Sequence, residues 1–127
     1  MIWVVIILVI IVIFLFKANR ETIELSKVPF EKKYAIVLDG LNIILFNKCA
    51  KYVSKDIREH YLYFDLLIKT GYIEFINREN SLYLSYYENS MGYETSFSYT
   101  YSNTKYITEE QQLFIVRDFS EKVKNHW

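Results

Sequence analysis

The feature that most constrains this chain is an unbroken apolar run at its N-terminus. Residues Ile2–Phe16 are fifteen consecutive apolar residues, without a glycine, a proline or a polar side chain. As an α-helix they would be about 22 Å long. Lys17, which can extend its amine towards the headgroups, and Ala18 bring the segment to the lower end of membrane-spanning lengths. Because a buried core helix at a chain start is rarely apolar on every side, we predict a transmembrane anchor over residues 1–18 that contacts membrane lipid through residues 2–18.

The main alternative for this segment is a cleaved signal peptide. Such a peptide carries basic residues before its apolar run and small residues at a cleavage site after it. In this chain no basic side chain precedes the run, and Phe16-Lys17-Ala18-Asn19 is a poor cleavage site. We therefore expect the apolar segment to remain attached to the rest of the protein.

Basic residues behind the apolar run indicate its orientation. They are Lys17, Arg20, Lys27, Lys32 and Lys33. Because such residues are concentrated on the cytoplasmic side of a span, we expect a single-pass protein of the inner (cell) membrane with its domain in the cytoplasm. The reverse orientation stays open, since short bacterial anchors sometimes violate this rule. Residues 19–33, which are polar and contain the one proline, are predicted to be a juxtamembrane linker or a short helix.

Residues 34–127 have the size and composition of one folded domain, for which we predict an α+β fold with helices packed on an antiparallel β-meander. The chain is 52% hydrophobic and 18% aromatic, which excludes wholesale disorder. Its single cysteine, Cys49, excludes an intrachain disulfide and fits a reducing compartment. The 15 basic and 15 acidic residues create no overall field that would favour nucleic acid.

The start of this domain permits two interpretations. Residues 34–38 are rich in strand-forming residues and precede Asp39-Gly40, a dipeptide typical of hairpin turns. In the alternative that we favour, Asp39 is the N-cap of a helix over residues 41–53. The apolar stripe of that helix includes Cys49, which we expect to fill part of the core.

Residues 54–68 are compatible with a helix or with a strand. A helix would place His60 and Asp56 on one solvated polar face, which is too small a set for a zinc site. A strand would be followed by a turn at Thr70-Gly71 into the next strand.

The second half of the domain shows a clear period of two. Turn residues at 78–81 and 89–92 separate segments in which apolar and polar side chains alternate. One face is formed by Leu82, Leu84 and Tyr86, and another by Phe97, Tyr99 and Tyr101, opposite Ser96, Ser98 and Thr100. This alternation predicts strands with one packed and one solvated face.

The C-terminal segment has the signals of a helix. Thr108 and Gln111 form a capping-box pattern, with acidic residues at the start and lysines near the end, as the helix dipole favours. His126 is expected to cap the last carbonyl groups. The predicted apolar stripe consists of Leu113, Val116, Ser120 and Val123, close to Phe119 and Trp127.

No pattern of residues predicts catalysis. The three glycines are far apart, which excludes the common phosphate-binding loops. The two histidines and the one cysteine form no zinc-ligand motif, and no serine lies in a nucleophile motif. We therefore predict a non-enzymatic protein without catalytic residues, a cofactor or a bound metal.

The unusual local feature is a tyrosine-rich stretch from Tyr83 to Tyr106. No basic residue lies between Arg78 and Lys105, so this stretch is unsuited to nucleic acid, whose phosphates require Lys or Arg. Tyrosines are common in protein interfaces, although they could simply cover a sheet. The leucines of this segment should face the core, and Tyr83 and Tyr87 alternate with them on the other face of the strand. We therefore expect Tyr83 and Tyr87 to be exposed. The predicted partner-binding residues are Tyr83, Tyr87, Glu88, Tyr93 and Glu94.

An apolar anchor and a small domain without catalytic motifs, whose tyrosine-rich stretch carries glutamates but no basic residue, together indicate a membrane-anchored protein-binding module. This architecture resembles that of the inhibitor or immunity proteins that bacteria pair with membrane-delivered toxins. The resemblance implies a protein partner, such as a toxin, neutralised at the inner membrane. The alternative is a structural accessory subunit of a membrane or envelope complex, although the apolar run lacks the small-residue pairs and polar residues that promote helix association.

Overall fold

The chain folds as helices packed on one antiparallel sheet, so the predicted α+β class is confirmed. The computed structural model describes residues 2–125, with the side chains of residues 16–27 excepted. The helices are α1 (Ile2–Lys27), α2 (Phe30–Lys33), α3 (Ala35–Phe46) and α4 (Glu109–Lys124). The strands are β1 (Lys51–Ser54), β2 (Glu59–Leu66), β3 (Lys69–Asn77), β4 (Ser81–Ser90) and β5 (Tyr93–Ser102). Each strand pairs with the next along the chain, in the order β1-β2-β3-β4-β5.

Helix α1 contains the N-terminal apolar run. Its side chains from Ile2 to Leu15 are all exposed, between 44% for Ile6 and 77% for Trp3. The buried core of the domain begins instead at Phe30. Among the residues whose side chains the structure describes, no helix has both the length and the hydropathy of a membrane span.

The core lies between one face of the sheet and helices α3 and α4. Gln112 of α4 joins the C-terminal helix to the start of the domain. Its amide accepts a hydrogen bond from the Val37 backbone nitrogen (3.3 Å) and donates one to the Lys33 carbonyl (2.9 Å). The two helices approach closely where Gly40 meets Val116; a Cβ at Gly40 would lie 2.8 Å from a methyl carbon of Val116. The sheet contributes Leu62, Phe64, Ile73, Phe75, Leu82, Leu84 and Tyr86 to this core.

The meander predicted for the second half of the domain is confirmed. Leu82, Leu84 and Tyr86 are fully buried and lie opposite Tyr101, Tyr99 and Phe97 of β5. The turn between β4 and β5 consists of Met91 and Gly92, which both have positive φ angles (52° and 93°). Such a two-residue turn matches the twist of the strands that it joins. The turn predicted at residues 78–81 likewise lies between β3 and β4, although Ser81 already belongs to β4.

The C-terminal helix begins as predicted, but its buried stripe differs. Thr108 and Gln111 form both hydrogen bonds of the capping box. Leu113 is 52% exposed, so its predicted core position is wrong. Gln112 occupies that side of the helix because its amide bonds to the backbone between α2 and α3. The predictions for His126 and Trp127 concern residues outside the described range.

The structure differs from the predictions for residues 34–53 in several respects. Residues 35–46 form helix α3, whereas residues 34–38 were expected to be a strand and the helix was expected to extend from 41 to 53. The helix ends at Phe46 because Asn47 adopts a left-handed conformation, which asparagine tolerates. Asp39 is therefore inside the helix and caps nothing. Cys49 lies after the helix and is exposed, which contradicts its predicted place in the core.

The ambiguity over residues 54–68 is resolved in favour of a strand. Residues 59–66 form β2, and the turn into β3 consists of Leu67 and Ile68. The predicted turn at Thr70-Gly71 is wrong, because both residues pair within β3. A Cβ at Gly71 would overlap the Tyr87 carbonyl oxygen of the neighbouring strand, so this position needs glycine for its close backbone approach rather than for a turn.

Candidate protein-binding face

The face of the sheet opposite α3 and α4 bears a row of tyrosine rings. We call Tyr61, Tyr63, Tyr72 and Tyr87 the tyrosine face. The strand register creates the row, because Tyr72 lies between Tyr63 of β2 and Tyr87 of β4. Ring centroids are 5.5 Å apart for Tyr61–Tyr63, 5.9 Å for Tyr63–Tyr72 and 5.2 Å for Tyr72–Tyr87. The four rings therefore form one continuous aromatic surface across the three central strands.

Carboxylates hold the ends of this row. The Tyr61 hydroxyl donates to Glu74 (3.0 Å) and lies 3.3 Å from Glu59. The Tyr87 hydroxyl donates to Glu94 (3.1 Å). Desolvation, together with these carboxylates, raises the pKa of both phenols above the ordinary tyrosine value. Both tyrosines therefore remain neutral donors at physiological pH, and their rings are fixed in place.

Three of the predicted partner-binding residues lie on this side of the sheet. Tyr83 and Tyr87 are half-buried and face away from the core residues of β4. Glu94 is exposed and bonded to Tyr87. Tyr83 lies beside Ile76 of β3 rather than within the row of rings.

The other two predicted residues lie elsewhere. Glu88 is only 4% exposed, on the helix side of the sheet, so its predicted surface position is wrong. The reason is strand parity: Glu88 follows Tyr86 by two residues and shares its buried face. Its carboxylate accepts from the Tyr86 hydroxyl (3.2 Å) and lies 3.4 Å from the Lys69 amine. Tyr93 is 81% exposed at the β4–β5 turn.

Sequence reasoning missed three members of the tyrosine face, namely Tyr61, Tyr63 and Tyr72. The signal was present in β2, where Tyr61 and Tyr63 alternate with the apolar residues Leu62 and Phe64. This alternation could not identify the exposed face while a helix and a strand were both compatible with residues 54–68. Tyr72 joins the row only through the pairing of β3 with both neighbours.

A second polar feature lies where the chain enters the domain. The imidazole of His60 is 3% exposed and stacks on the ring of Phe30, with centroids 3.9 Å apart. Its Nε2 lies 2.9 Å from the Ile57 carbonyl, which can only accept a hydrogen bond, so Nε2 carries the proton. Nδ1 then accepts from the Tyr52 hydroxyl at 2.8 Å. The solvated helical face predicted for His60 is wrong, because β2 turns this side chain inward.

This arrangement predicts a loss of stability in mild acid. Burial lowers the pKa of His60 below its usual 6.5, although the Ile57 carbonyl, Glu31 and Asp56 act in the opposite direction. The unfolded chain therefore binds a proton at a higher pH than the folded chain does. The free energy of unfolding should fall as the pH drops below about 6.5 and level off below the folded pKa.

Urea unfolding of the full chain in detergent at about pH 7.5 and about pH 5 measures this effect. We expect the decrease to be larger for the wild type than for His60→Asn, which cannot titrate. Tyr52→Phe is the matched control, because it removes one hydrogen bond and keeps the imidazole. An equal decrease in the wild type and in His60→Asn would contradict the prediction.

Within the described residues, no group of three or more His, Cys, Asp or Glu side chains could hold a metal ion. The predicted absence of enzymatic activity and of a cofactor stays a prediction. The chain matches no protein-family model, and comparisons with curated proteins and with solved structures return no match either.

Proposed function

We propose that this chain is a membrane-anchored, non-enzymatic module that uses the tyrosine face to bind a protein partner at the inner membrane. The observation that carries the proposal is the continuous row of four tyrosine rings on the side of the sheet away from the helices. Tyrosine provides rigid contact area and a polar tip, and it is enriched at binding hot spots. A sheet face that needed only solubility would not require four adjoining aromatic rings.

The charges around these rings favour a basic partner. Glu59, Glu74 and Glu94 border the tyrosine face, and the hydroxyls of Tyr61 and Tyr87 orient them. The Lys55 amine lies 3.2 Å from a carboxylate oxygen of Glu59 and neutralises part of this negative charge. Glu74 and Glu94 are then available to attract a basic surface, an effect that increases the association rate and weakens with salt. An inhibitor or immunity protein that captures a toxin at the membrane fits this arrangement.

The exposed apolar side of α1 supports the membrane part of the proposal. The side chains of Ile2–Leu15 are exposed on every side of the helix and belong to no part of the core. Burial in lipid is the ordinary way for such a surface to leave water. The basic residues from Lys17 to Lys33 then favour a cytoplasmic domain.

Site-specific photo-crosslinking in cells tests the proposed binding face. A photoreactive phenylalanine analogue at Tyr63, which is 43% exposed, should form an adduct of one discrete mass. The same analogue at Tyr106, which is 83% exposed and outside the tyrosine face, is the matched control and should give no such adduct. An adduct of equal yield at both positions, or none at Tyr63, would contradict the proposal.

Once the crosslinked partner is identified, Tyr72→Ala measures the contribution of the central ring. Tyr72 contacts Tyr61, Tyr63 and Tyr87, so its loss should weaken binding by about 1–3 kcal/mol. The dissociation constant for the partner should therefore rise about 5- to 150-fold. Tyr106→Ala should leave it unchanged. Thermal unfolding of both variants separates loss of binding from loss of folding.

A further inference from the structure

The outer edge of β5 is long, uncharged over most of its length and unprotected. β5 has ten residues, of which Glu94 is the one charged side chain. It contains no lysine, no proline and no glycine bulge. These features commonly prevent strand edges from pairing with other chains. In the described part of the protein, β5 pairs with β4 alone.

The two-residue turn before β5 determines which groups face this edge. Ser90 and Tyr93 flank the turn, so they form a hydrogen-bonded pair, and such pairs alternate along the ladder. The backbone groups of Tyr93 and of every second residue after it therefore bond to β4. The backbone groups of the intervening residues point to the free edge. The side chains of these residues are exposed on the same side of the sheet as the tyrosine face. The residues are Glu94, Ser96, Ser98, Thr100 and Ser102.

We propose that β5 of one chain pairs antiparallel with β5 of a second copy, centred on Ser98, so that two five-stranded sheets join into one. In this register all five outward-facing residues of each copy find a partner, which gives about ten new hydrogen bonds. Two copies of this edge are therefore complementary to each other, as the interface of a C₂ dimer requires.

The side chains on both faces are compatible with this register. On the helix side, Phe97 of each copy faces Tyr99 of the other, and aromatic pairs of this kind stabilise antiparallel strands. Tyr99 is 45% exposed in the single chain, beside a groove of about 360 Å³ that also exposes Phe114. On the other face, serine meets serine at position 98.

The charges carried by the paired β5 strands are also compatible with the dimer. Glu94 faces Ser102 of the second copy, whose Lys105 follows shortly after, so no like charges meet across the strand pair. The dimer axis is perpendicular to the joined sheet, which keeps the helices of both copies on one side. Phe30, where each chain enters its domain, packs on this side against His60. Both N-terminal segments can therefore enter the same membrane. Only this step of the argument rests on the proposed anchor.

Disulfide trapping tests the pairing on the full chain in phosphatidylcholine vesicles, in a Cys49→Ser background. Mild oxidation should convert Ser98→Cys into a covalent dimer, because the two Cα atoms would be about 5.5 Å apart. Ser96→Cys is the matched control, since its two copies would be more than about 13 Å apart and cannot form a disulfide. Equal yields of covalent dimer at the two positions, or a Ser98→Cys chain that stays monomeric, would overturn the proposal.

A second measurement does not depend on cysteine chemistry. Ser98→Pro removes one outward-facing N–H, and an edge strand tolerates proline at such a position. In detergent, the wild type and Ser98→Ala should be dimers by light scattering, whereas Ser98→Pro should be monomeric with an unchanged circular dichroism spectrum. A monomeric wild type, or a dimeric and folded Ser98→Pro, would contradict the pairing.

Discussion

Replacing Gly71 with alanine should destabilise the domain strongly, and far more than the same replacement of Gly92. A Cβ at this position would overlap the Tyr87 carbonyl oxygen and crowd the Cα of Glu88, which are both backbone atoms of the adjacent strand. Backbone atoms cannot move aside as a flexible side chain can, so β3 and β4 would have to separate where Gly71 pairs with Glu88. We expect a loss of more than about 3 kcal/mol in the free energy of unfolding, or failure to fold.

Gly92→Ala provides the control for this prediction. Gly92 has a φ angle of 93°, but a Cβ there would meet nothing within 4 Å. The substitution should therefore cost about 1 kcal/mol, because it introduces strain at a positive φ without overlap. Urea unfolding of both variants in detergent gives the comparison. Similar losses for Gly71→Ala and Gly92→Ala would show that the strands are farther apart at Gly71 than the structure indicates.

Deleting residues 2–18 should move the protein from the membrane fraction to the soluble fraction. The deletion removes the exposed apolar side chains of Ile2–Leu15, whose burial in lipid would hold the full chain in place. The remaining domain should stay folded, because its core begins at Phe30 and includes no residue of the apolar run. Cell fractionation after a high-salt wash, followed by circular dichroism of the released domain, measures both effects.

A matched control distinguishes an apolar anchor from electrostatic attachment. Replacing Lys32 and Lys33 with glutamine removes positive charge near the domain and leaves the apolar run intact, so this variant should stay in the membrane. A deletion variant that remains membrane-bound would place the attachment in the domain. One that unfolds would show that the apolar helix belongs to the fold.

The second half of the domain could be predicted from the sequence because its signals are local. The alternation around Leu82, Leu84 and Tyr86 reports burial residue by residue, and the capping box needs only Thr108 and Gln111. The same alternation places Glu88 beside Tyr86 on the buried face, so this error was avoidable.

The first half depends on contacts between residues that are distant in the chain. The short apolar run at residues 35–38 suits either a helix or a strand. It becomes helical where Gly40 packs against Val116 and Val37 bonds to Gln112. His60 is buried because Phe30 lies on its ring. The tyrosine face likewise unites residues from three strands, and no single stretch of sequence contains it.

The hydrogen bonds of Gln112 have a consequence for the order of events during synthesis. Gln112 bonds to the backbone of Lys33 and Val37, which leave the ribosome 75 or more residues earlier. Until α4 emerges, α2 and α3 lack these bonds and α3 lacks the packing of Val116 against Gly40, whereas the hairpins of the meander can form from neighbouring residues. The apolar run of residues 2–16 also leaves the ribosome before α4 does, so the proposed anchor could enter the membrane while the domain is still incomplete. With such an anchor, membrane insertion would precede the final folding step.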